Sequence, residues 1–297
     1  MVGKNILNHK NSVEHDFLIP SRKELDLLDY SAISSFLKKN NPILIIHAAG
    51  LVGGIEANIK KPVKFLTDNT SIGLNLINAA NNNNVNYFLN LGSSCMYPRF
   101  AKNPLNENLI LKGELEPTNE GYALAKIIST RLCEYICKEN TSRKYKTIIP
   151  CNLYGKFDNF KSDSSHMIPA AITKIHNAYV TNKETVNIWG DGLSRREFMV
   201  GSSFADLIFY AINNFENIPQ NMNVGLGHDF SINEYYKIIA KVIGFQGKFT
   251  NDLSKPTGMK QKLVDIKTLS KFGWSNKVSL EDGIIETYNY YLKHHAV

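Results

Sequence analysis

No apolar run in this chain approaches the roughly 18 residues that a membrane-spanning helix needs. The first twenty residues carry Asn, His, Glu and Asp where a secretory signal would be apolar, so the expected compartment is the cytoplasm, with no membrane partner. Cysteine is scarce: Cys95, Cys133, Cys137 and Cys151 lack the spacing of a zinc knuckle or a redox pair, and Cys133 with Cys137, at helical spacing, reads as a pair of buried free thiols. Metal-ligand clusters, paired carboxylates and serine-hydrolase triads are not apparent, and no metal is expected. The net charge is +7, yet the lysines are scattered and form no basic block, so nucleic acid is not an expected partner. A bound nucleotide with two or more phosphates accounts for the excess equally well. Internal repeats, long linkers and low-complexity tracts are missing too, apart from the four asparagines at 81–84.

What is present is enough apolar material, 43% of 297 residues, to bury one large core or two modest ones. Within it stand Ser93, in Gly92-Ser93-Ser94-Cys95-Met96-Tyr97, and the pair Tyr122 and Lys126 in Tyr122-Ala123-Leu124-Ala125-Lys126. A Tyr and a Lys four apart share one helix face, so the ammonium can lower the phenol's pKa and let it trade a proton with a carbonyl or alkoxide. Ser93, on a preceding strand end, can bind the same oxygen. These are the groups needed to reduce a ketone with a nicotinamide hydride.

The first 155 residues read as alternating strands and helices. Pro42 to Gly50 is an apolar run ending in small residues, as a buried parallel strand feeding a loop would be. A helix follows over about Val63 to Asn81, with Leu66, Ile72, Leu76, Ile77 and Ala80 as its apolar side. The strand Tyr87 to Gly92 delivers Ser93 to its carboxyl end, the edge at which open parallel sheets bind ligands. The helix of Tyr122 and Lys126 and the strand Lys146 to Cys151 complete the grammar of a doubly wound α/β sheet. Past Gly155 come polar loops, a helix opening near Met167-Ile168-Pro169, and the segment Val186 to Gly192. The expected division is a dinucleotide-binding domain over 1–155 and a smaller substrate lobe over 156–297, with about 204–226 returning to the sheet.

On these motifs the chain resembles the extended short-chain dehydrogenase/reductases. Within them it resembles the branch of 3,5-epimerase/4-reductases that acts on GDP-4-keto-6-deoxy-D-mannose. The carriers are Leu91 to Pro98, Glu116 to Lys126, Asn152-Leu153-Tyr154-Gly155, Asp158-Asn159-Phe160, Ser165 to Pro169, and Trp189-Gly190-Asp191-Gly192 with Arg195 to Phe198. The resemblance implies a Rossmann-like doubly wound sheet with a smaller C-terminal substrate lobe. It implies that Ser93, Tyr122 and Lys126 run the reduction, while Cys95 and His166 are base and acid of the epimerisations. NADP would lie against Gly3, Arg22, Ala48, Ala49, Leu91, Tyr122, Lys126, Asn152, Leu153 and His166. Lys174, Trp189, Arg196 and Lys262 would hold the GDP part of the sugar nucleotide, and the protein would be a homodimer through the helices at Val63–Asn81 and Tyr122–Glu139.

Each role is chemically sound, because a 4-keto group acidifies the hydrogens on C3 and C5, and inversion needs one group to remove a proton and another to return it on the opposite face. A thiolate can be the base, and His titrates in the right range to be the acid. Each residue also has a plainer reading: Cys95 as a small buried hydrophobe, His166 as a helix-start histidine, Trp189 as lobe core, Arg196 with Glu197 as a surface pair. Product readings that stay open are GDP-L-fucose, the same chemistry on a GDP-4-keto sugar of a colitose or heptose pathway, epimerisation without net reduction, and a catalytically silent sugar-nucleotide binder.

Two stretches depart from the family pattern. The family opens with an apolar strand and a glycine-rich turn, whereas Met1-Val2-Gly3-Lys4 matches only the tail of that fingerprint. Losing a central strand would expose the core of a parallel sheet, so the expectation is a sequence that starts late relative to its natural product. The second strand, ending in Phe17-Leu18-Ile19-Pro20-Ser21-Arg22, offers no carboxylate for a ribose diol. It does offer Ser21 and Arg22 for a 2′-phosphate, which favours NADP over NAD; an exposed Arg without a ligand is the alternative. Asp26 and Asp29 read as an adenine-side stretch or as a helix cap. At Val200-Gly201-Ser202-Ser203 the family's His-Val-Asp-Asp is replaced, and a serine is expected to cap the next helix.

Overall fold

The computed structural model describes residues 1–161 and 165–296. The chain opens with a short helix α1 (Val2–Leu7), then α2 (Tyr30–Asn40), whose cap is Asp29, accepting from the Ala32 N–H at 3.0 Å. Strand β1 (Leu44–His47), helices α3 (Ile55–Lys60) and α4 (Pro62–Asn82), strand β2 (Tyr87–Leu91), helix α5 (Glu120–Glu139) and strand β3 (Lys144–Pro150) follow. Then come β4 (Asn152–Tyr154), α6 (Met167–Val180), β5 (Thr185–Trp189), β6 (Arg195–Arg196), β7 (Phe198–Val200) and α7 (Gly201–Asn213). The remainder is β8 (Asn221–Val224), β9 (Phe230–Ser231), α8 (Ile232–Ile243), β10 (Lys248–Asp252), β11 (Gln261–Lys262), α9 (Lys267–Phe272) and α10 (Leu280–His294).

The main sheet is parallel throughout, in the order β1-β2-β3-β8, so consecutive strands are joined by helical crossovers as the sequence pattern anticipates. Its side chains alternate between two cores. Phe88 and Tyr145 face α2, α4 and α5, packing with Ile33, Leu37, Leu76, Ile77 and Cys133. Leu89, Ile148 and Met222 face α1, α7 and α9, packing with Ile6, Phe204, Leu207, Ile208 and Leu269. Helices α4 and α5 approach so closely at Gly73 that a Cβ there would lie 2.1 Å from Ser129 Oγ. A third core joins α6, α8 and α10 to β5 and β7 through Ile172, Ile175, Ile188, Tyr235 and Ile284. Smaller sheets, β5 with β10, β4 with β7, and β6 between β9 and β11, frame that part of the chain. No helix among the described residues is long and apolar enough to cross a membrane.

Two local expectations are corrected. Phe17 to Pro20 forms no strand, and β1 is an edge paired only with β2; a strand needs a neighbour for its N–H and C=O groups, and the described residues place none beside this stretch. The serines after Val200 do not cap α7. That helix springs directly from β7 with Val200 as its N-cap, so Ser202 and Ser203 fall inside the first turn; Ser202 Oγ donates to Glu286 Oε2 at 2.9 Å and Ser203 Oγ is buried without a partner. His294 and His295 end α10 in contact with aromatic rings, His295 with Phe160 at 4.8 Å and His294 with Tyr290 at 4.4 Å between centroids. By contrast Ser231 caps α8 in a full capping box with Glu234, as its position promises.

Candidate active site

A cavity of about 490 Å³ opens at the carboxyl edge of the main sheet and runs from the ends of β1 and β2 to β5 and β11. Strand β2 stops at Leu91, and Gly92 leads into Ser93, whose hydroxyl accepts from the Cys95 N–H at 3.2 Å and so starts the tight turn Ser94–Met96. This turn presents Cys95 to the cavity two residues beyond Ser93. Helix α5 brings Tyr122 and Lys126 to the same wall, and the Tyr122 phenol hydrogen-bonds Ser93.

The electrostatics of this corner are set by burial. Lys126 is 8% exposed, its Nζ donates to the Leu91 carbonyl at 2.8 Å, and desolvation pulls its pKa down to about 8. Tyr122 moves the other way: burial pushes its phenol up, charge on Cys95 pushes it further, and the Ser93 hydrogen bond offsets part of this. The sequence reading has Lys126 lowering the phenol's pKa; the ammonium instead spends its hydrogen bond on Leu91 and stands 5.8 Å from the Tyr122 ring centroid. Behind it lies His47, fully buried, held near pKa 3 by desolvation and then by the Lys126 charge, with Nδ1 3.3 Å from Asn90 Oδ1 and Nε2 without a partner.

His166 is the N-cap residue of α6, half-exposed, with Nδ1 3.9 Å from Asp158 Oδ1. It lines the same cavity as Cys95, together with Asp158. Asn152 is positioned by its Nδ2 donating to the Glu197 carbonyl at 3.0 Å, and Ala48, Ala49, Leu91 and Leu153 line the same half. Gly3 and Arg22 do not line it: Gly3 lies in α1, and Arg22 is exposed in a turn.

At the far end, Trp189 is 38% exposed and has two cations near its ring, Lys174 Nζ at 4.7 Å and Lys255 Nζ at 4.8 Å from the centroid. Burial lowers the Lys174 pKa, and the neighbouring Lys255 lowers it further. Arg196 is tied to two carbonyls, Arg195 O at 2.8 Å and Thr257 O at 3.0 Å. The surface-pair alternative for Arg196 and Glu197 fails, because Glu197 is fully buried and accepts from Gly227 N at 2.8 Å, Val264 N at 3.2 Å and Leu226 N. Desolvation raises its pKa to about 7 despite those donors. Lys262 lies on Cys95 rather than beside Trp189, with Nζ 3.5 Å from the sulfur.

The cavity thus holds Ser93, Tyr122 and Lys126 at one end and Trp189 with two nearby lysines at the other. Residues 1–225 match the model of the NAD dependent epimerase/dehydratase family. The chain belongs to that family. Within it, the chain is 59% identical over 292 residues to a GDP-L-colitose synthase of Yersinia pseudotuberculosis, covering 98% of this chain and 95% of the relative. It is 46% identical to a GDP-L-fucose synthase of Azorhizobium caulinodans, over 98% of this chain and 93% of the relative. Among solved structures, a GDP-mannoheptose C4 reductase of Campylobacter jejuni with NADP bound superposes with a TM-score of 0.88 at 29% identity, over 98% of this chain and 95% of that one.

Membership in the NAD dependent epimerase/dehydratase family also exposes what the sequence reading missed. His47, Glu56, Glu116, Asn119 and Asp158 all line the cavity, and Lys255 lies near the Trp189 ring that lines it. Asn119 and Glu116 stood inside a motif quoted for its Tyr and Lys, and His47 stood at a strand end among small residues, so a positional signal existed for those three. Lys255 carries none: a lysine in a polar loop becomes a ring neighbour only through the pairing of β10 with β5.

Proposed function

We propose that this protein is an NADPH-dependent epimerase/reductase of GDP-4-keto-6-deoxy sugars. The observation that carries the reading is the meeting of Ser93, Cys95, Tyr122 and His166 on one cavity whose other end holds Trp189 with two lysines near its ring. The residues present fit the nicotinamide end of the cofactor: Lys126 at the sheet edge, the small side chains Ala48 and Ala49, and Asn152 and Leu153 would hold it, and residues 1–155 would be its domain. When bound, NADPH supplies the hydride that reduces C4. Cys95 removes a proton beside the keto group and His166 returns one from the opposite face. Tyr122 then gives its proton to the C4 oxygen, with Ser93 hydrogen-bonded to the same oxygen, while Lys126 holds α5 on the end of β2 through its bond to Leu91.

GDP-L-fucose is one product on this reading. The second reading is a GDP-L-colitose product, from a 3,6-dideoxy substrate, and the specific observation that favours it is the higher identity to a colitose synthase, 59% against 46% for a fucose synthase. We further infer a cytoplasmic homodimer, in keeping with four free thiols and with Val63, Ile128 and Tyr135 exposed on α4 and α5, Val63 by 72%.

The test is a reaction in deuterated water with NADPH and either GDP-4-keto-6-deoxy-D-mannose or its 3-deoxy counterpart, following cofactor absorbance and the NMR spectrum of the sugar nucleotide. One NADPH consumed per product with deuterium at C5 is expected for the true substrate, and deuterium at C3 as well if that carbon is inverted. Deuterium uptake without NADPH loss would replace the reading with epimerisation alone. No change with either sugar would overturn it.

A further inference from the structure

The sulfur of Cys95 has two nitrogen donors, and they reach it from different elements. Asn119 Nδ2 lies at 3.2 Å, from the start of α5, and Lys262 Nζ at 3.5 Å, from β11. Both side chains forgo what their positions ordinarily provide. An Asn at a helix N-cap accepts from a free N–H of the first turn, but Asn119 makes no cap bond, and its Oδ1 is buried without a partner because the amide is turned to give its NH2 to sulfur. Lys262, 8% exposed and on the wall of a cavity suited to a diphosphate, directs its ammonium to the thiol instead.

The chemistry of the acceptor decides what such a pair is for. A neutral thiol is a weak acceptor with a proton of its own to place, whereas a thiolate accepts strongly from several N–H groups. We propose that Asn119 and Lys262 are positioning residues for Cys95: Lys262 supplies the charge that keeps the sulfur a thiolate, and Asn119 fixes the direction in which it faces the cavity. Arg196 and Tyr122 also interact with this sulfur electrostatically, and Glu116 and Asp229 are the carboxylates that interact with Arg196. The inference deepens the proposed function by naming what equips its base, so its test is made without a sugar nucleotide.

The rate of Cys95 alkylation by iodoacetamide at neutral pH, followed by peptide mass spectrometry on the whole protein, reads the thiolate directly. Lys262→Met and Asn119→Asp should each slow it by about tenfold, since only the thiolate reacts, while Lys262→Arg should keep most of the rate. Asp is as good a helix cap as Asn, so the Asn119→Asp chain keeps its circular dichroism and decides the matter even if Lys262→Met does not fold. Unchanged alkylation in a folded Asn119→Asp or Lys262→Met protein overturns the proposal. So does a Lys262→Met enzyme whose only defect is a raised KM for the sugar nucleotide, the signature of a nucleotide anchor. Slowed alkylation in a protein inert toward every GDP-4-keto sugar would leave this inference standing and remove the function it deepens.

Discussion

Lys126 donates to the carbonyl of Leu91 at 2.8 Å, joining the first turns of α5 to the last residue of β2. That one bond keeps the helix carrying Tyr122 in register with the strand end carrying Ser93. It also holds an ammonium where water is scarce, which has a thermodynamic signature.

Burial lowers the Lys126 pKa from 10.5 to about 8 in the folded protein. Between those values the unfolded chain holds a proton that the folded one has released, so the stability of the wild type rises as pH climbs from about 8 toward 10.5, and the burial penalty is present in full below that window. Lys126→Met removes this term. Urea denaturation of both proteins at pH 7.5 and pH 10 should show the wild type gaining on the variant by roughly 1–3 kcal/mol across the window. A difference that does not change with pH would mean that Lys126 is better solvated than its surroundings indicate.

Trp189, with Lys174 and Lys255 near its ring, leads to a binding prediction. A half-exposed indole can stack on a flat base while neighbouring cations meet phosphate. Trp189→Ala should raise KM for the sugar nucleotide by roughly tenfold, about 1.4 kcal/mol of lost stacking, with kcat nearly unchanged. Steady-state kinetics would show this directly; a fall in kcat at constant KM would move Trp189 into the machinery of the reacting sugar.

How much of this was legible beforehand depends on the range of the interaction. Ser93, Tyr122 and Lys126 could be read because helical spacing and a strand end are local properties. Asp29, either a cap or an adenine contact on sequence, caps α2 through its bond to the Ala32 N–H. Phe17 to Pro20 misleads because strand character belongs to a pair of segments, and the partner is not among the described residues. Glu197 misleads for the same reason: beside Arg196 it reads as a surface pair, and only the fold brings the N–H groups of Gly227 and Val264 to its carboxylate. Lys262 has the opposite history, a residue placed in the right cavity by resemblance but on a different partner.

Gly73 tests the packing that sets the angle of α5. Because a Cβ there would lie 2.1 Å from Ser129 Oγ and 3.3 Å from Ser129 Cβ, Gly73→Ala forces α4 and α5 apart or turns Ser129 out of its bond to the Ala125 carbonyl. Overpacking of this kind costs about 1–3 kcal/mol, more than the helix propensity that Ala returns. The expected result is a lower urea midpoint, restored in large part by Ser129→Ala in the double variant; simple additivity would place the strain elsewhere.

The two half-reactions can be separated at Cys95 and Tyr122, which line one cavity but stand on different elements. Cys95→Ser leaves a hydroxyl that is hardly ever an anion at neutral pH, so exchange of deuterium into the sugar should fall by a factor of about 100 or more, the usual contribution of a general base. Its ketone remains open to reduction, because Ser93, Tyr122 and Lys126 are untouched, and NADPH should still be consumed to give the uninverted alcohol. Tyr122→Phe should do the reverse, with deuterium entering the sugar while NADPH absorbance stays flat. Proton NMR of the product together with absorbance at the cofactor band distinguishes the four combinations. If Cys95→Ser yields the inverted sugar at the wild-type rate, another group is the base, and the two nitrogen donors on its sulfur would need a different explanation.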